Sequence, residues 1–295
     1  MDLDKKIFWI CSYPKSGNTW VRLLLCALFF TNDGDLTNYN LLNLLKKVPN
    51  FDQLIFFKFI ERISHEDYKK IFSCSEYNDD SIITYAKYWI EAQKRMDIKG
   101  DFGLFKTHNA RLKINENFFT DSSTTRGFIY ISRDPRDIVI SRSAFQGSTY
   151  DKTIDILTNA QLSSREKIKD RMPEITLNWG EHYNSWKNFS AIPSLFIKYE
   201  DLVNDTRGEI EKILFFFKKN YNIKIDNQDI KITNAINSTN FQKLKEKESK
   251  DGFYKSKSSF FREGKYKQWS NRLSKKQIET IEKKFEKEMI DLGYL

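Results

Sequence analysis

Histidine and cysteine are scarce in this chain, with three of each among 295 residues. Cys11, Cys26 and Cys74 make an odd count with no metal-like spacing. Cys11 falls on an expected strand and Cys26 on an expected helix, so both read as core thiols. A reduced, cytoplasmic setting follows. Long apolar runs are missing too: Val21 to Phe30 falls far short of the ~20 residues a membrane span needs. Met1-Asp2-Leu3-Asp4 is acidic, which argues against a signal peptide ahead of the first strand. Internal repeats and domain linkers are absent, so one domain over residues 1–295 is expected.

Neither sign of charge prevails, since 49 basic residues are mixed with 40 acidic ones. The net charge of +9 favours an anionic partner without choosing between a nucleotide, a nucleic acid and a membrane surface. The basic residues lie scattered among acids and no nucleic-acid motif appears, so a nucleic-acid partner is not expected. At 40% hydrophobic and 15% aromatic, the chain has ample material for a core.

The most informative stretch lies near the start. Ile7 to Cys11 is a short apolar run suited to a buried parallel strand, and Val21 to Phe30 is helix-compatible. Between them, Tyr13-Pro14-Lys15-Ser16-Gly17-Asn18-Thr19-Trp20 combines turn chemistry with anion chemistry. A strand feeding a helix through such a turn gathers backbone N–H groups and the positive end of a helix dipole at one point. Lys15 adds a full charge, and Ser16 and Thr19 add hydroxyl donors. The loop is not a Walker A sequence, because Lys15 precedes its only glycine; magnesium binding is therefore not implied.

Further strands are expected at Gly103–His108, Gly127–Ser132 and Leu195–Tyr199. Helices are expected at Leu41–Val48, Ile82–Met96, Glu174–Phe189, Arg207–Lys219 and Lys275–Leu292, with weaker patterns at Asp229–Asn237 and Phe241–Glu248. Phe51 to Ile63 reads either as a helix packed on several sides or as the lining of an apolar pocket. Ser249 to Ser259 reads as a mobile loop able to close over a ligand. Asp134 suits an N-cap, Pro135 the first helical position and Asp137 the capping-box position. Alternating strands and helices imply an α/β fold, a central parallel β-sheet flanked by helices on both faces. Such sheets bind ligands at the carboxyl ends of their strands. Four polar clusters fall there: Lys15 to Thr19, Lys106 to His108, Arg133 to Ser141, and Tyr199 to Asp201.

These clusters offer two anion subsites with Trp20 and Tyr199 nearby, as a nucleotide phosphorylated in two places would need. Arg133 and Ser141 could hold the second phosphate, although a salt bridge from Arg133 to Asp134 or Asp137 is the plainer alternative. His108, one residue beyond a buried strand, is the candidate general base. His65, in a polar loop, and His182, on a helix between aromatics, read as structural or surface residues.

The Tyr13–Trp20 loop resembles the 5′-phosphosulfate loop of the cytosolic-type sulfotransferases, which use 3′-phosphoadenosine 5′-phosphosulfate (PAPS). Arg133-Asp134-Pro135-Arg136-Asp137 through Ser141 resembles that family's 3′-phosphate motif. Lys106-Thr107-His108, Tyr199-Glu200-Asp201-Leu202 and Phe260-Phe261-Arg262-Glu263-Gly264 resemble three further motifs, so the likeness runs from Lys6 to about Leu273. It implies a P-loop-like nucleotide-binding core and transfer of a sulfuryl group to a hydroxyl or amine of a small molecule. PAPS would be the co-substrate, 3′-phosphoadenosine 5′-phosphate (PAP) the product, and no metal would be required. Lys15, Ser16, Gly17, Asn18 and Thr19 would bind the 5′ end, with Trp20 against the adenine. Arg133 and Ser141, joined by Arg262 and Gly264, would hold the 3′-phosphate; Tyr199, Thr239 and Phe241 would serve the base, and Phe261 would be a further nucleotide-binding residue. His108 would be the general base, with Lys15 and Lys106 neutralising charge. Three departures stand out: Asn18 replaces a Thr, Glu263 a Lys, and Asn109-Ala110 a Leu-Pro. Glu263 is expected to point away from the phosphate. The Lys-x-x-x-Thr-Val dimerisation motif is absent, which leaves the oligomeric state open. A nucleotide kinase using ATP and magnesium is the alternative. The aromatic content suggests an apolar or aromatic acceptor.

Overall fold

A computed structural model describes residues 6–52, 54, 63–73, 75–159, 162, 171–253 and 259–295. Most of the expected Phe51–Ile63 helix, Cys74, and residues 254–258 of the expected loop therefore lie outside the described residues. Among them six strands form, β1 (Lys6–Ser12), β2 (Phe102–Thr107), β3 (Lys113–Ile114), β4 (Asn117–Phe118), β5 (Thr125–Ser132) and β6 (Ser194–Lys198). The main sheet has the order β2-β1-β5-β6, and β3 and β4 make a small separate ribbon. This is the α/β fold expected from the sequence, with a central parallel sheet flanked by helices.

The chain divides into two compact units. The first comprises Met1–Tyr13, Pro49–Tyr130 and Asn159–Ser194. Its strands β1 and β2 run parallel, in a register that pairs Ile10 with Lys106 and Cys11 with Thr107. Ile7 to Cys11 are at most 1% exposed, the signature of a strand covered on both faces. The core around β1 is aromatic. Trp9 packs edge-on against Phe51 with ring centroids 4.9 Å apart, and its indole N–H donates to the Thr125 hydroxyl at 3.1 Å. Phe51 is thus a core residue and not the wall of an open pocket.

The second unit comprises Pro14–Val48, Ile131–Thr158 and Leu195–Leu295. It contains the helix Asn18–Phe30, whose residues Val21 to Leu28 are buried, and the helix Pro135–Gln146. In the latter, Asp134 caps the N-terminus by accepting from the Arg136 N–H, and Pro135 opens the first turn as expected.

Several boundaries moved. The single helix expected over Ile82–Met96 is two, Asp79–Ala86 and Trp89–Lys94. The first ends at Lys87, and Asn78 starts it with a capping box whose partner is Ser81, a signal upstream of the apolar periodicity. The helix expected from Glu174 begins at Trp179, where Asn178 and Glu181 form another capping box. Ser249 to Asp251 are not loop but the end of the helix Phe241–Asp251. His65 opens the helix His65–Phe72 rather than sitting in a loop.

Candidate active site

In the first unit, the carboxyl ends of β1 and β2 bring Ser12 beside His108. The His108 Nδ1 lies 2.7 Å from the Ser12 carbonyl oxygen and 3.2 Å from its hydroxyl. A carbonyl can only accept, so Nδ1 carries the proton and Nε2 is left as the bare, basic nitrogen. Burial, aided by the nearby Lys106 charge, lowers the His108 pKa well below the ordinary histidine range. The ring is therefore neutral at physiological pH, as a base must be.

Lys106 is a paired cation. Its ammonium sits 2.7 Å from Glu174 Oε1, with both side chains 7% exposed, and Arg171 shares the same carboxylate. Burial pulls the Lys106 pKa down while Glu174 pushes it up. Glu174 lies well below the usual carboxylate range, because Lys106 and Arg171 outweigh its own burial. Asp52, buried next to it, is raised by burial and by the Glu174 charge. The result is a cation already balanced within the protein.

The segment after β2 is tied down by three hydrogen bonds. Asn109 Nδ2 donates to Asp52 at 2.6 Å, Asn109 Oδ1 accepts from the Ile175 N–H at 2.7 Å, and the Ala110 N–H donates to the Ile175 carbonyl at 2.8 Å. Leu-Pro at these two positions could make none of those side-chain bonds and would lack the N–H at 110. The Asn109-Ala110 departure is thereby explained.

In the second unit, the loop before the helix Asn18–Phe30 has two left-handed residues, Lys15 at φ 73° and Gly17 at φ 96°. A Cβ on Gly17 would stand 2.6 Å from Tyr199 Cδ2, so only glycine fits. No side chain caps this helix, and its first turn has no acidic residue. That leaves its N-terminal dipole uncompensated and ready for an anion. The Ser16 hydroxyl and the Trp20 indole nitrogen are buried without a hydrogen-bond partner. The Lys15 ammonium lies 4.1 Å from the Phe145 ring centroid and 4.5 Å from that of Phe260. Burial, then Arg133, Arg262 and Arg142, bring its pKa down to about 7.

Arg133 makes no salt bridge to Asp134 or Asp137. Asp134 pairs with Arg136 at 2.7 Å, and Asp137 accepts from the backbone N–H groups of Lys267, Gln268 and Trp269. Asp137 therefore anchors the C-terminal segment instead of completing a capping box. The Arg133 guanidinium lies 4.2 Å over the Tyr199 ring and donates to the carbonyls of Lys15 and Lys265, while its Nε is buried and unpartnered. Trp20 packs edge-on to Tyr199 at 6.1 Å. Phe241 touches the Gly264 position and packs on Phe261 at 5.8 Å. The Thr239 hydroxyl is spent on the Ala235 carbonyl at 2.7 Å. Asn18 is buried and Ser141 half-buried on its helix.

Glu263 receives the Arg262 guanidinium at 3.1 Å and that of Arg272 at 2.9 Å. The backbone partners of two further carboxylates escaped the sequence reading. Glu248 accepts from the Phe260 and Phe261 N–H groups, and Glu200 from the Asp134 N–H. Each is joined to its partner across a long sequence separation, where no local pattern could reveal it.

Residues 5–293 match the family model of the sulfotransferase domain. The chain belongs to the sulfotransferase domain family. The 3-alpha-hydroxysteroid sulfotransferase of Cavia porcellus is 22% identical, over 94% of this chain and 82% of its own. Sulfotransferase 2A1 of Macaca fascicularis is 23% identical, over 96% and 84%. Mouse sulfotransferase SULT7A1 complexed with PAP shares the fold of this sulfotransferase with a TM-score of 0.56 at 18% identity, covering 99% and 86% of the two chains. Retinol dehydratase, in complex with androsterone and inactive PAP, does so with 0.59 at 16%, covering 96% and 80%. The chemistry of this sulfotransferase is sulfuryl transfer, and the kinase alternative is not favoured. No helix among the described residues is long and apolar enough to cross a membrane.

Proposed function

We propose that this sulfotransferase acts as a single catalytic domain that moves a sulfuryl group from PAPS to a hydroxyl, or an amine, of a small apolar or aromatic acceptor in the cytoplasm. The observation that carries the reading is unspent donor capacity. Ser16 Oγ and Arg133 Nε are buried without partners, beside an uncapped helix start and a caged Lys15 ammonium. Buried donors without partners are costly unless an acceptor reaches them. A phosphosulfate with a second phosphate supplies such acceptors, so these residues fit the donor.

When bound, PAPS supplies the activated sulfuryl group and leaves as PAP. Lys15, Ser16, Gly17, Asn18 and Thr19 hold the 5′ end. Arg133, Ser141, Arg262 and Gly264 hold the 3′-phosphate, and Trp20, Tyr199, Phe241 and Phe261 enclose the base; Thr239 serves through its lone pairs. His108 Nε2 takes the acceptor proton. Transfer of this kind is in-line, so positioning and fixed charge dominate the rate. Lys106 contributes from within its ion pair, steadying His108 rather than acting as a free cation. The androsterone and hydroxysteroid in the relatives' names support the apolar acceptor class.

A panel of phenols, alcohols and amines with radiolabelled PAPS tests the reading. Labelled product with at least one acceptor is expected, together with metal-independent PAP binding by calorimetry. Binding of ATP with magnesium in preference to PAP would overturn it.

A further inference from the structure

The helix Trp179–Lys187 presents three side chains at i, i+3 and i+4 to the segment carrying His108. His182 Nε2 lies 3.1 Å from the His108 carbonyl oxygen. Trp186 Nε1 donates to the Asn109 carbonyl at 3.0 Å, and Ser185 Oγ accepts from the Arg111 N–H at 2.9 Å. Three of the four residues from His108 to Arg111 are thus bolted to one helix face.

The direction of the first bolt is fixed by chemistry. The His108 carbonyl only accepts, so His182 Nε2 must carry the ring proton. Its Nδ1 is then an acceptor, and the Tyr130 hydroxyl, 3.0 Å away, must donate to it. On the other side of the same residue, His108 Nδ1–H donates to the Ser12 carbonyl. The backbone of the base is held from the helix and its ring from β1. His182 is wholly buried, packed edge-on against Tyr13 at 5.5 Å and tilted on Tyr130.

We propose that His182, oriented by the Tyr130 hydroxyl, is a positioning residue that fixes the His108 imidazole for proton abstraction. The inference rests on the general-base role of His108 given above. Loss of the bond frees the peptide at 108 without changing any residue from Lys15 to Trp20. Turnover should therefore suffer without a matching loss of donor affinity.

The test compares His182→Leu, His182→Gln and Tyr130→Phe with the unaltered protein. It measures kcat and KM with radiolabelled PAPS and the panel acceptor turned over fastest, and PAP affinity by calorimetry. His182→Leu should lower kcat on the order of 10- to 100-fold, with donor KM and PAP affinity within about twofold, since small misplacements of a reacting group are costly. His182→Gln keeps an N–H at the same reach and should recover most of the loss. Tyr130→Phe removes only the orienting donor and should lower kcat by about threefold to tenfold. Unchanged kcat in His182→Leu, or equal losses in the Leu and Gln variants, would overturn the inference. Should the Leu variant not fold, unchanged kcat in Tyr130→Phe overturns it and a selective kcat loss supports it. Failure of the unaltered protein to transfer from PAPS would instead sink the functional reading itself.

Discussion

The two chemically loaded regions of this protein differ in how far their polar groups are already satisfied. Around His108, nearly every group is committed: Nδ1 to Ser12, Lys106 to Glu174, Asn109 to Asp52 and Ile175. Around Lys15, Ser16 Oγ, Trp20 Nε1 and Arg133 Nε are buried and idle, and the lysine ammonium lies against the Phe145 and Phe260 rings. A committed network holds one group still, whereas an idle one waits for a ligand to complete it. The contrast matches a division of labour between a fixed base and a donor cradle.

The sharpest way to break that contrast is to remove the proposed base. His108→Ala should lower kcat by about 10²- to 10⁴-fold, the usual worth of a positioned general base. PAP affinity should stay near that of the unaltered protein, and an equal fall in both would merge the two regions into one. Lys15→Ala should act on the other side, weakening PAP binding by about 30-fold or more, the lower end for a buried charge partner. Calorimetry reads this directly.

Glu263 tests whether the idle side is tuned as well as open. Its carboxylate offsets Arg262, so Glu263→Lys should tighten PAP by roughly twofold to fivefold, in line with half-exposed ion pairs. The affinity for AMP should not change. A tighter AMP complex would mean that the effect is general and unconnected with the 3′-phosphate.

Protonation separates the regions again. Burial takes His182 down to about 3 and His108 well below its ordinary value. Between pH 6.5 and those lowered values, the unfolded chain binds protons that the folded chain refuses, so stability must fall on acidification. Thermal melts from pH 7 to pH 5 should show this, and His182→Gln should flatten the slope. Lys15 gives the opposite window. With its pKa near 7 it is largely neutral above that pH, and an anion binds the protonated form. PAP binding at about pH 8 should take up a proton, which calorimetry in buffers of different ionisation enthalpy detects.

Much of the proposed donor cradle was legible in the sequence, because Lys15 to Trp20 and Arg133 to Asp137 are contiguous and their turn and cap chemistry is local. The alternation of apolar strands and helices likewise gave the sheet. The cage around the base was not legible. Glu174, Asp52, Tyr130 and His182 are drawn from four separate stretches, and their pairing arises only when β1, β2 and β5 assemble. His182 read as a structural histidine because aromatic neighbours on a helix carry no trace of the carbonyl it reaches. The Asp137 reading failed for a related reason: a local capping position and a long-range anchor demand the same residue type.

The phenylalanine-walled amine at position 15 has a practical consequence. Lysine side chains ordinarily hide their nucleophilic lone pair under a proton at neutral pH, yet this one has it free much of the time. Lys15 should therefore be acylated by an activated ester at neutral pH ahead of lysines with ordinary basicity, and PAP should shield it. Peptide mapping by mass spectrometry would find the tag, giving the protein a built-in anchor for a reporter of donor occupancy.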